Sequence, residues 1–405
     1  MSDSASGSGA SAASPEPDAL QMLEVDSTAG SGLHKLYGSL GRNWPVPKLY
    51  AVVVAVTFVP LLIAAFTGPP PLFVQSLPTL KLPFFQDWNV LFDFLVSFPC
   101  IVIFAATDQH VLAHSLKSVQ LDGTLTVSAA DATLLSARWR RRFRITNIGG
   151  QAIAVAVGAL LAWINYGVYV PEKIGYWIAR NGHLVPAGYV FLYCIFLLFA
   201  VITFYICRSI AVALLLRDIV AHARLRPLPL HPDKSGGLRP IGRLGLRNQY
   251  VLMLIGVNIV LFITVSIVYL TPQGSQLPAS LYALIIAAVV AYLILGPVVF
   301  VVPLLPFRAG MLKAKTELMA EVAQRLRVEL QRMLSQLKAG TITQEDEELI
   351  DRLRKVDAVI EELPVWPFDA ATLRKFFVAY GIPILTSAGY PLIKSLLDFV
   401  QAHFH

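Results

Sequence analysis

The residues whose types and order best suit chemistry form one polar loop between two long apolar stretches. It reads His231-Pro232-Asp233-Lys234-Ser235-Gly236-Gly237-Leu238. The two glycines permit backbone angles that other residues avoid and let a partner approach closely. Asp233 can bond neighbouring backbone amides, and Lys234 can meet an anion. Such a turn can hold a lipid headgroup or phosphate through its amides. The alternative is a rigid connector in which Asp233 caps its own turn.

Histidines form a second set, near the ends of the second and fourth apolar segments. His110 and His114 are four residues apart, and so are Asp218 and His222. Because residues four apart share one helix face, two such pairs facing each other, with His231 nearby, would offer ligands suited to zinc or iron. The sequence therefore allows a divalent-metal site. The alternative is that these are solvated or interfacial histidines at helix ends.

Four polar residues interrupt the apolar segments and are candidates for a pore or transport path. They are Asp93, Asn165, Asn258 and Arg208. An ionisable residue inside a membrane is costly and is by default a functional candidate. Structural alternatives exist for three of them. Asp93 can lie at headgroup depth, Arg208 can snorkel to the surface, and Asn258 can make an interhelical hydrogen bond.

A basic run, Arg138-Trp139-Arg140-Arg141-Arg142-Phe143-Arg144, precedes the third apolar segment. Its position predicts a membrane anchor that binds anionic lipid headgroups, so bound lipid is expected. The net charge of +7 arises largely from clusters of this kind beside apolar segments. It therefore does not predict a nucleic-acid partner.

The elements that must position these residues follow from composition. The chain has 405 residues, of which 56% are hydrophobic and 15% charged, and its mean hydropathy is +0.62. Soluble domains carry about 25% charged residues, and a bilayer-crossing helix needs about 20 apolar residues. Six continuous apolar segments predict an all-α polytopic membrane protein. The predicted spans are 49–67, 90–107, 148–170, 187–209, 249–271 and 280–305.

The basic residues that flank these spans predict their orientation. Lys and Arg gather near the N-terminus, in the loops 108–147 and 217–247, and after the sixth span. Positive charge is retained on the cytoplasmic side, so these regions are expected in the cytoplasm and the spans in the cell's inner (plasma) membrane. Trp88 and Trp177 suit an outer aromatic belt.

The sequence divides into four predicted regions. Residues 1–45 are poor in large apolar side chains and are expected to be a disordered cytoplasmic tail. Residues 46–307 form the six-helix transmembrane domain. Residues 308–363 carry two amphipathic helices that should pair as a cytoplasmic hairpin. Residues 364–405 are expected to form an interfacial or re-entrant helix, with a seventh span as the alternative.

Two motifs carry a resemblance to known sequences. The loop from His231 to Leu238 and the later Trp366-Pro367-Phe368-Asp369 resemble a family of uncharacterised bacterial multi-pass inner-membrane proteins. In that family an HPD(K/R)xGGL cytoplasmic loop separates two pairs of spans, and a WPFD segment precedes a final apolar helix. The resemblance covers roughly residues 45–400 and implies a topology but no reaction. This chain departs from the pattern at Arg239-Pro240 and in the Gly and Pro content of its last helix.

Polar residues in apolar spans, without an enzyme motif, favour an oligomeric channel or transporter for an ion or small solute. The chain contains no GxSxG elbow, P-loop or paired-carboxylate hydrolase motif. The expected protein is a homo-oligomer whose hairpin assembles or gates the path. Two alternatives remain open, a membrane-embedded metal-binding enzyme or sensor and a membrane scaffold that recruits a cytosolic partner.

Overall fold

The computed structural model describes residues 46–67, 82–170, 176–180, 182–229, 231–267, 279–339, 344–368 and 370–386. Within these ranges the chain is almost entirely helical, which confirms the all-α prediction. The predicted disordered tail 1–45 and the chain after residue 386 lie outside the described residues.

Six of the helices are long and apolar enough to cross a membrane, as predicted. The chain is therefore described as a multi-pass membrane protein. The helices are α1 (Val46–Thr67), α2 (Trp88–Leu121), α3 (Ala129–Tyr169), α4 (Pro186–His222), α5 (Arg239–Val265) and α6 (Ala279–Val301).

Several of these helices extend well beyond the apolar segments that predict them. With 41 residues, α3 is about 61 Å long, roughly twice the thickness of a bilayer core. The side-chain oxygen of Ser128 accepts a hydrogen bond from the Asp131 amide at 3.1 Å and caps the start of α3. Trp163 is 70% exposed on its outer face, as a lipid-facing side chain should be.

Close packing of small residues joins α3 to α4. A Cβ on Gly158 would lie 2.7 Å from the carbonyl oxygen of Phe196, and one on Gly150 would lie 3.4 Å from Cys207 Cβ. A side chain at Gly158 would push the helices apart, so glycine permits their approach there, whereas a Cβ at Gly150 would make only an ordinary van der Waals contact. In the same way Gly256 of α5 packs against the ring of Tyr292 on α6.

Two short antiparallel strand pairs mark the two ends of the bundle. At one end β1 (Leu125–Thr126) pairs with β4 (Arg224–Leu225), which joins the α2–α3 turn to the loop that follows α4. We call this the loop end. At the other, β2 (Ala179–Arg180) pairs with β3 (His183–Leu184), next to the 3-10 turn Phe84–Gln86. We call this the cap end.

The chain continues from α6 through the 3-10 turn Val302–Leu304 into α7 (Leu305–Ala339). Helix α8 (Gln344–Glu361) packs on α7 as predicted for the hairpin. The Lys315 amino group ties the two together by donating to the carbonyl oxygens of Glu361 and Leu363 at 2.5 and 3.3 Å.

The Trp366–Phe368 segment lies between the hairpin and the membrane domain. The guanidinium of Arg308 stacks 4.8 Å from the Trp366 ring centre, and the Pro367 carbonyl sits where Gly242 of α5 lacks a side chain. Helix α9 (Ala370–Thr386) then packs on α5. The ring of its Phe376 stacks on that of Phe300 of α6, with the ring centres 4.3 Å apart. Asp369, the last residue of the Trp366-Pro367-Phe368-Asp369 motif, lies outside the described residues.

Candidate functional site

The loop between α4 and α5 is organised around the carboxylate of Asp233. Its oxygens accept hydrogen bonds from the backbone amides of Ser235 at 2.8 Å, Gly237 at 3.1 Å and Arg239 at 3.2 Å. His231 Nδ1 lies 2.8 Å from the same carboxylate. Burial alone would raise the pKa of Asp233, but these hydrogen bonds outweigh it and lower the pKa.

These contacts decide between the two interpretations of the loop. The amides of residues 235, 237 and 239 already donate to Asp233, so the expectation that they cradle a phosphate or headgroup is not supported. Lys234, Gly236 and Gly237 have φ of +55°, +64° and +86°, and a Cβ on Gly237 would lie 2.2 Å from Thr124 Oγ1. The geometry fits a rigid connector pressed onto the α2–α3 turn.

The predicted metal ligands do not come together. The carboxylate of Asp218 accepts hydrogen bonds from Trp139 Nε1 at 3.1 Å and from Arg142 at 3.0 Å, and His222 Nδ1 lies 2.8 Å from the Asp218 carbonyl oxygen. Within the described ranges, no three His, Cys, Asp or Glu side chains are placed to hold a metal ion. His110 and His114 therefore do not form a metal-binding group with Asp218 and His222 in the described structure.

The basic run lies on α3 with its arginines outward and its two aromatic residues inward. Trp139 and Phe143 are buried, at 2% and 0% exposure, whereas all five arginines are exposed. Arg142 stacks 5.1 Å from the Trp139 ring centre while it pairs with Asp218. The run thus anchors α3 to α4 through its aromatic residues.

A buried carboxylate that the sequence did not single out lies at the cap end. Asp87 is fully buried and accepts hydrogen bonds from the Tyr176 hydroxyl, from Trp177 Nε1 at 3.0 Å and from the Val90 amide at 3.2 Å. Burial raises the pKa of Asp87 despite these donors. Trp177 is 3% exposed, so its assignment to an outer aromatic belt is wrong, whereas Trp88 is exposed.

Asp93 occupies a break in the regular α-helical pattern of α2. Residues Asp93–Ser97 form a π-helical turn, and a hydroxyl from α1, that of Tyr50, donates to the carbonyl of Leu95 inside it. Such turns occur frequently at functional sites. Asp93 is 4% exposed, and its Oδ1 has no hydrogen-bond partner among the residues that the structure describes.

Asp93 shares its surroundings with groups from two other elements. Asp93 lies within electrostatic range of Asp87, and both carboxyl groups lie within electrostatic range of the Tyr169 hydroxyl at the end of α3. Asn165, one turn earlier on α3, donates to the Leu161 carbonyl of its own helix at 2.8 Å. Asn165 is buried but does not bond to the other predicted path residues through this amide.

The π-turn is linked to α5 at its inner end. Asn258 Nδ2 donates to Ser97 Oγ at 2.9 Å, which is the interhelical hydrogen bond foreseen as the structural alternative for this residue. The Oδ1 atom of the Asn258 side chain has no hydrogen-bond partner in the described part of the chain. Asp93 and Asn258 thus each present one unmatched acceptor oxygen inside the bundle.

The next layer toward the loop end is apolar. Ile101 and Ala105 of α2, Val251 of α5 and the ring of Tyr205 on α4 form one buried cluster. The Tyr205 hydroxyl leaves this cluster to donate to Asn248 Oδ1 at 2.7 Å. The apolar layer therefore separates the Asp93 region from a second polar region.

The second polar region contains a buried ion pair. Arg208 Nε lies 2.9 Å from Asp108 Oδ2, and the exposed fractions of the two side chains are 2% and 13%. Arg208 therefore does not snorkel. Nearby, Arg247 donates to the Phe104 carbonyl at 2.7 Å and to Thr107 Oγ1 at 2.5 Å, and it stacks on the Phe104 ring.

The structure links Asn258, through Ser97, to the π-turn that carries Asp93, and it places Arg208 in the second polar region, beyond the apolar layer. The residues that the sequence reasoning missed are Asp87, Ser97, Asp108, Tyr205, Arg247 and Asn248. A signal for part of this set exists in α2, since Asp93, Ser97, Phe104 and Asp108 recur at helical spacing.

Comparison of the chain with family models, curated proteins and solved structures finds no match.

Proposed function

We propose that this membrane protein passes a small cation across the bilayer, along the interface of α2, α4 and α5. The observation that carries the proposal is the buried carboxylate of Asp93 on a π-helical turn, with one oxygen free of protein partners among the described residues. A carboxylate inside a membrane costs much free energy unless a partner offsets it. A cation in transit is a partner of the required charge.

The chemistry of the neighbouring groups favours a cation over an anion. Asp87 and Asp93 supply buried carboxyl oxygens at the cap end, and Asn258 Oδ1 is an acceptor without a described partner. Carboxylate, amide and hydroxyl oxygens are the ligands that small hard cations and protons use. No basic side chain bonds to this group in the described structure, because Arg208 and Arg247 lie beyond the apolar layer.

The arrangement along the interface supports passage with a closed state. The cap-end acids and the Asp108–Arg208 pair are separated by the apolar cluster around Ile101 and Val251. Apolar constrictions close a path to ions by excluding water. In this proposal the described conformation is closed at that layer, and transport requires α2, α4 or α5 to move there.

The test is cation flux into vesicles that contain the purified protein. Vesicles of phosphatidylethanolamine and phosphatidylglycerol are loaded with a pH- or sodium-sensitive dye, and a potassium diffusion potential is imposed. We expect flux of protons or of Na⁺ above that of empty vesicles. Asp93→Asn should lower it about tenfold or more, because the charge that offsets desolvation of the cation is lost.

The matched control is Asp122→Asn, which removes the same charge at an exposed position after the last residue of α2. It should leave the flux unchanged. Both variants are first compared with the native protein by gel filtration, which identifies loss of folding. Flux no faster than that of empty vesicles, or equal flux in the Asp93→Asn and Asp122→Asn proteins, would refute the proposal.

A further inference from the structure

Asp87 and Asp93 are both buried at the cap end, but their hydrogen bonding differs. The carboxylate of Asp87 accepts hydrogen bonds from three donors, on Tyr176, Trp177 and Val90. Asp93 Oδ1 accepts none from the residues that the structure describes. Hydrogen bonds to a carboxylate favour its charged form, and of two neighbouring carboxyl groups the one without donors is the better holder of a proton.

The helices packed on the π-turn bring no described cation to Asp93. The turn contacts α1 and α5, and neither α1 beyond Tyr50 nor α5 beyond Tyr250 carries an ionisable side chain. The Tyr50 hydroxyl itself donates to a backbone carbonyl of the turn. The titratable groups of the described chain within electrostatic range are another acid, Asp87, and the phenol of Tyr169. An ionised Asp93 would therefore lack a counter-charge, which is costly inside a membrane.

The residues that carry unpartnered oxygens near Asp93 are spread along α2. On this part of α2 and α5, the other oxygens without a described partner are Oδ1 of Asn89 and of Asn258. Asn89 lies one turn before Asp93, and Asn258 is held at Ser97, one turn after it. One turn advances about 5–6 Å, whereas hard metal cations gather about six or more oxygens at roughly 2.0–2.6 Å. A proton needs one oxygen and no cavity.

We propose that the cation of the proposed function is the proton, and that Asp93 is the group that binds it. Binding forms an O–H bond at a carboxylate oxygen of Asp93, and release breaks that bond and restores the negative charge, with no other reactant. In the closed conformation Asp93 is the neutral acid, so no unpaired charge is buried there. The inference rests on the proposed function, because it names the solute of the same path.

The first test is infrared spectroscopy of the full-length protein in lipid vesicles at pH 7. The carbonyl stretch of a protonated carboxyl group is separate from the bands of a carboxylate, and it shifts when H₂O is exchanged for D₂O. We expect a deuterium-sensitive band that Asp93→Asn loses and Asp122→Asn keeps. Asp122 is exposed, so its ionised carboxylate does not contribute to this band. An Asp93→Asn spectrum equal to the native one would overturn the inference.

The second test asks whether a metal ion occupies the site. A ligand that binds only the folded protein raises the melting temperature as its concentration rises. We expect no such rise when NaCl replaces choline chloride at constant ionic strength. Asp93→Asn should melt near the native temperature, because the amide has the shape of the neutral acid. Stabilisation by Na⁺ that Asp93→Asn abolishes would assign the site to a metal ion instead.

The third test is flux, which separates this inference from the proposed function. Vesicles in sodium-free choline medium should take up protons through the native protein, and Asp93→Asn should lower the rate about tenfold or more. A sodium-sensitive dye should report no Na⁺ entry above that of empty vesicles. Na⁺ flux that depends on Asp93 would leave the proposed function intact and refute the proton as its solute. Absence of both fluxes would refute the proposed function and, with it, this inference.

Discussion

At the scale of single residues, Asp233 shows how one carboxylate can fix the shape of a loop. Its oxygens hold three backbone amides and face His231, so the chain from residue 231 to residue 239 folds around one side chain. The side chain is only 11% exposed. The histidine and the aspartate of this motif therefore have a structural role in the described conformation.

Replacing Asp233 should loosen this loop in a pH-dependent way. Asp233→Ala leaves partly buried amides without an acceptor and should destabilise the fold by about 1–3 kcal/mol at neutral pH. Because the hydrogen bonds lower the pKa of Asp233, its contribution is present above the ordinary carboxyl pKa and is lost as the pH falls below that value. The measurement is the melting temperature in detergent at pH 7 and at pH 3.

The difference between native protein and Asp233→Ala should shrink at the lower pH. A difference that is unchanged or larger at pH 3 would contradict the assigned role of the carboxylate. Other carboxyl groups titrate in the same range, but they do so in both proteins. The comparison of the two at each pH therefore isolates Asp233.

The sequence predicts some of these residues and misses others for definite reasons. Asp93 and Asn258 stand out because polar residues are rare in apolar spans. The partner of Arg208 is Asp108, which lies 100 positions away in the sequence, and single-sequence periodicity carries no information on which helices adjoin. The occupied amides of the 231–238 loop depend on positive φ at Lys234, Gly236 and Gly237, of which only the glycines are suggested by type.

At the scale of elements, the α4–α5 connector is pressed onto the α2–α3 turn through a single glycine. Gly237 has φ of +86°, and a Cβ there would lie 2.2 Å from the Thr124 hydroxyl oxygen. Gly123 also has positive φ, +72°, but its Cβ would meet nothing within 4 Å. Comparing substitutions at the two glycines therefore distinguishes the effect of backbone strain from the effect of steric crowding.

Gly237→Ala should be clearly more destabilising than Gly123→Ala. Each change costs about 1–2 kcal/mol for an L-residue in the left-handed region. The crowded position should add about 1–3 kcal/mol for the displaced Thr124. Thermal melting of both variants in detergent measures the difference, and equal melting temperatures would mean that the connector moves freely away from the turn.

The length and apolarity of each segment suffice to predict six spans, but they do not locate the breaks within them. The π-turn at Asp93–Ser97 contains no glycine or proline, and the nearest sequence signal is Pro99, which has no N–H to donate to the Leu95 carbonyl four residues earlier. The turn is also stabilised by contacts from other helices, among them the Tyr50 hydroxyl on the Leu95 carbonyl. Such contacts belong to tertiary structure, and a sequence pattern cannot supply them.

At the scale of the whole molecule, the two ends of the bundle carry different chemistry. The loop end holds the arginines of α3 and the 231–238 connector, whereas the cap end holds Asp87 with Tyr176 and Trp177. The distribution of Lys and Arg predicts that the loop end faces the cytoplasm.

This orientation is tested with single cysteines in a protein in which Cys100, Cys194 and Cys207 are replaced by alanine. His183→Cys at the cap end should react with a membrane-impermeant maleimide in intact cells, and Asp122→Cys at the loop end should react only after the cells are opened. Both positions are exposed, so access within the protein is matched. The opposite labelling pattern would invert the topology, and equal labelling of both would contradict six spans.

The glycine contacts between α3 and α4 have a mechanical consequence. Gly158 lies against Phe196 within a long interface, so α3 and α4 pack together as one body. That body carries Tyr169 near one membrane surface and Arg208 near the other, each facing a carboxylate outside it, in Asp87 and Asp108. If this helix pair tilts about the apolar layer, separating Arg208 from Asp108 would also change the distance between Tyr169 and the acids at the cap end.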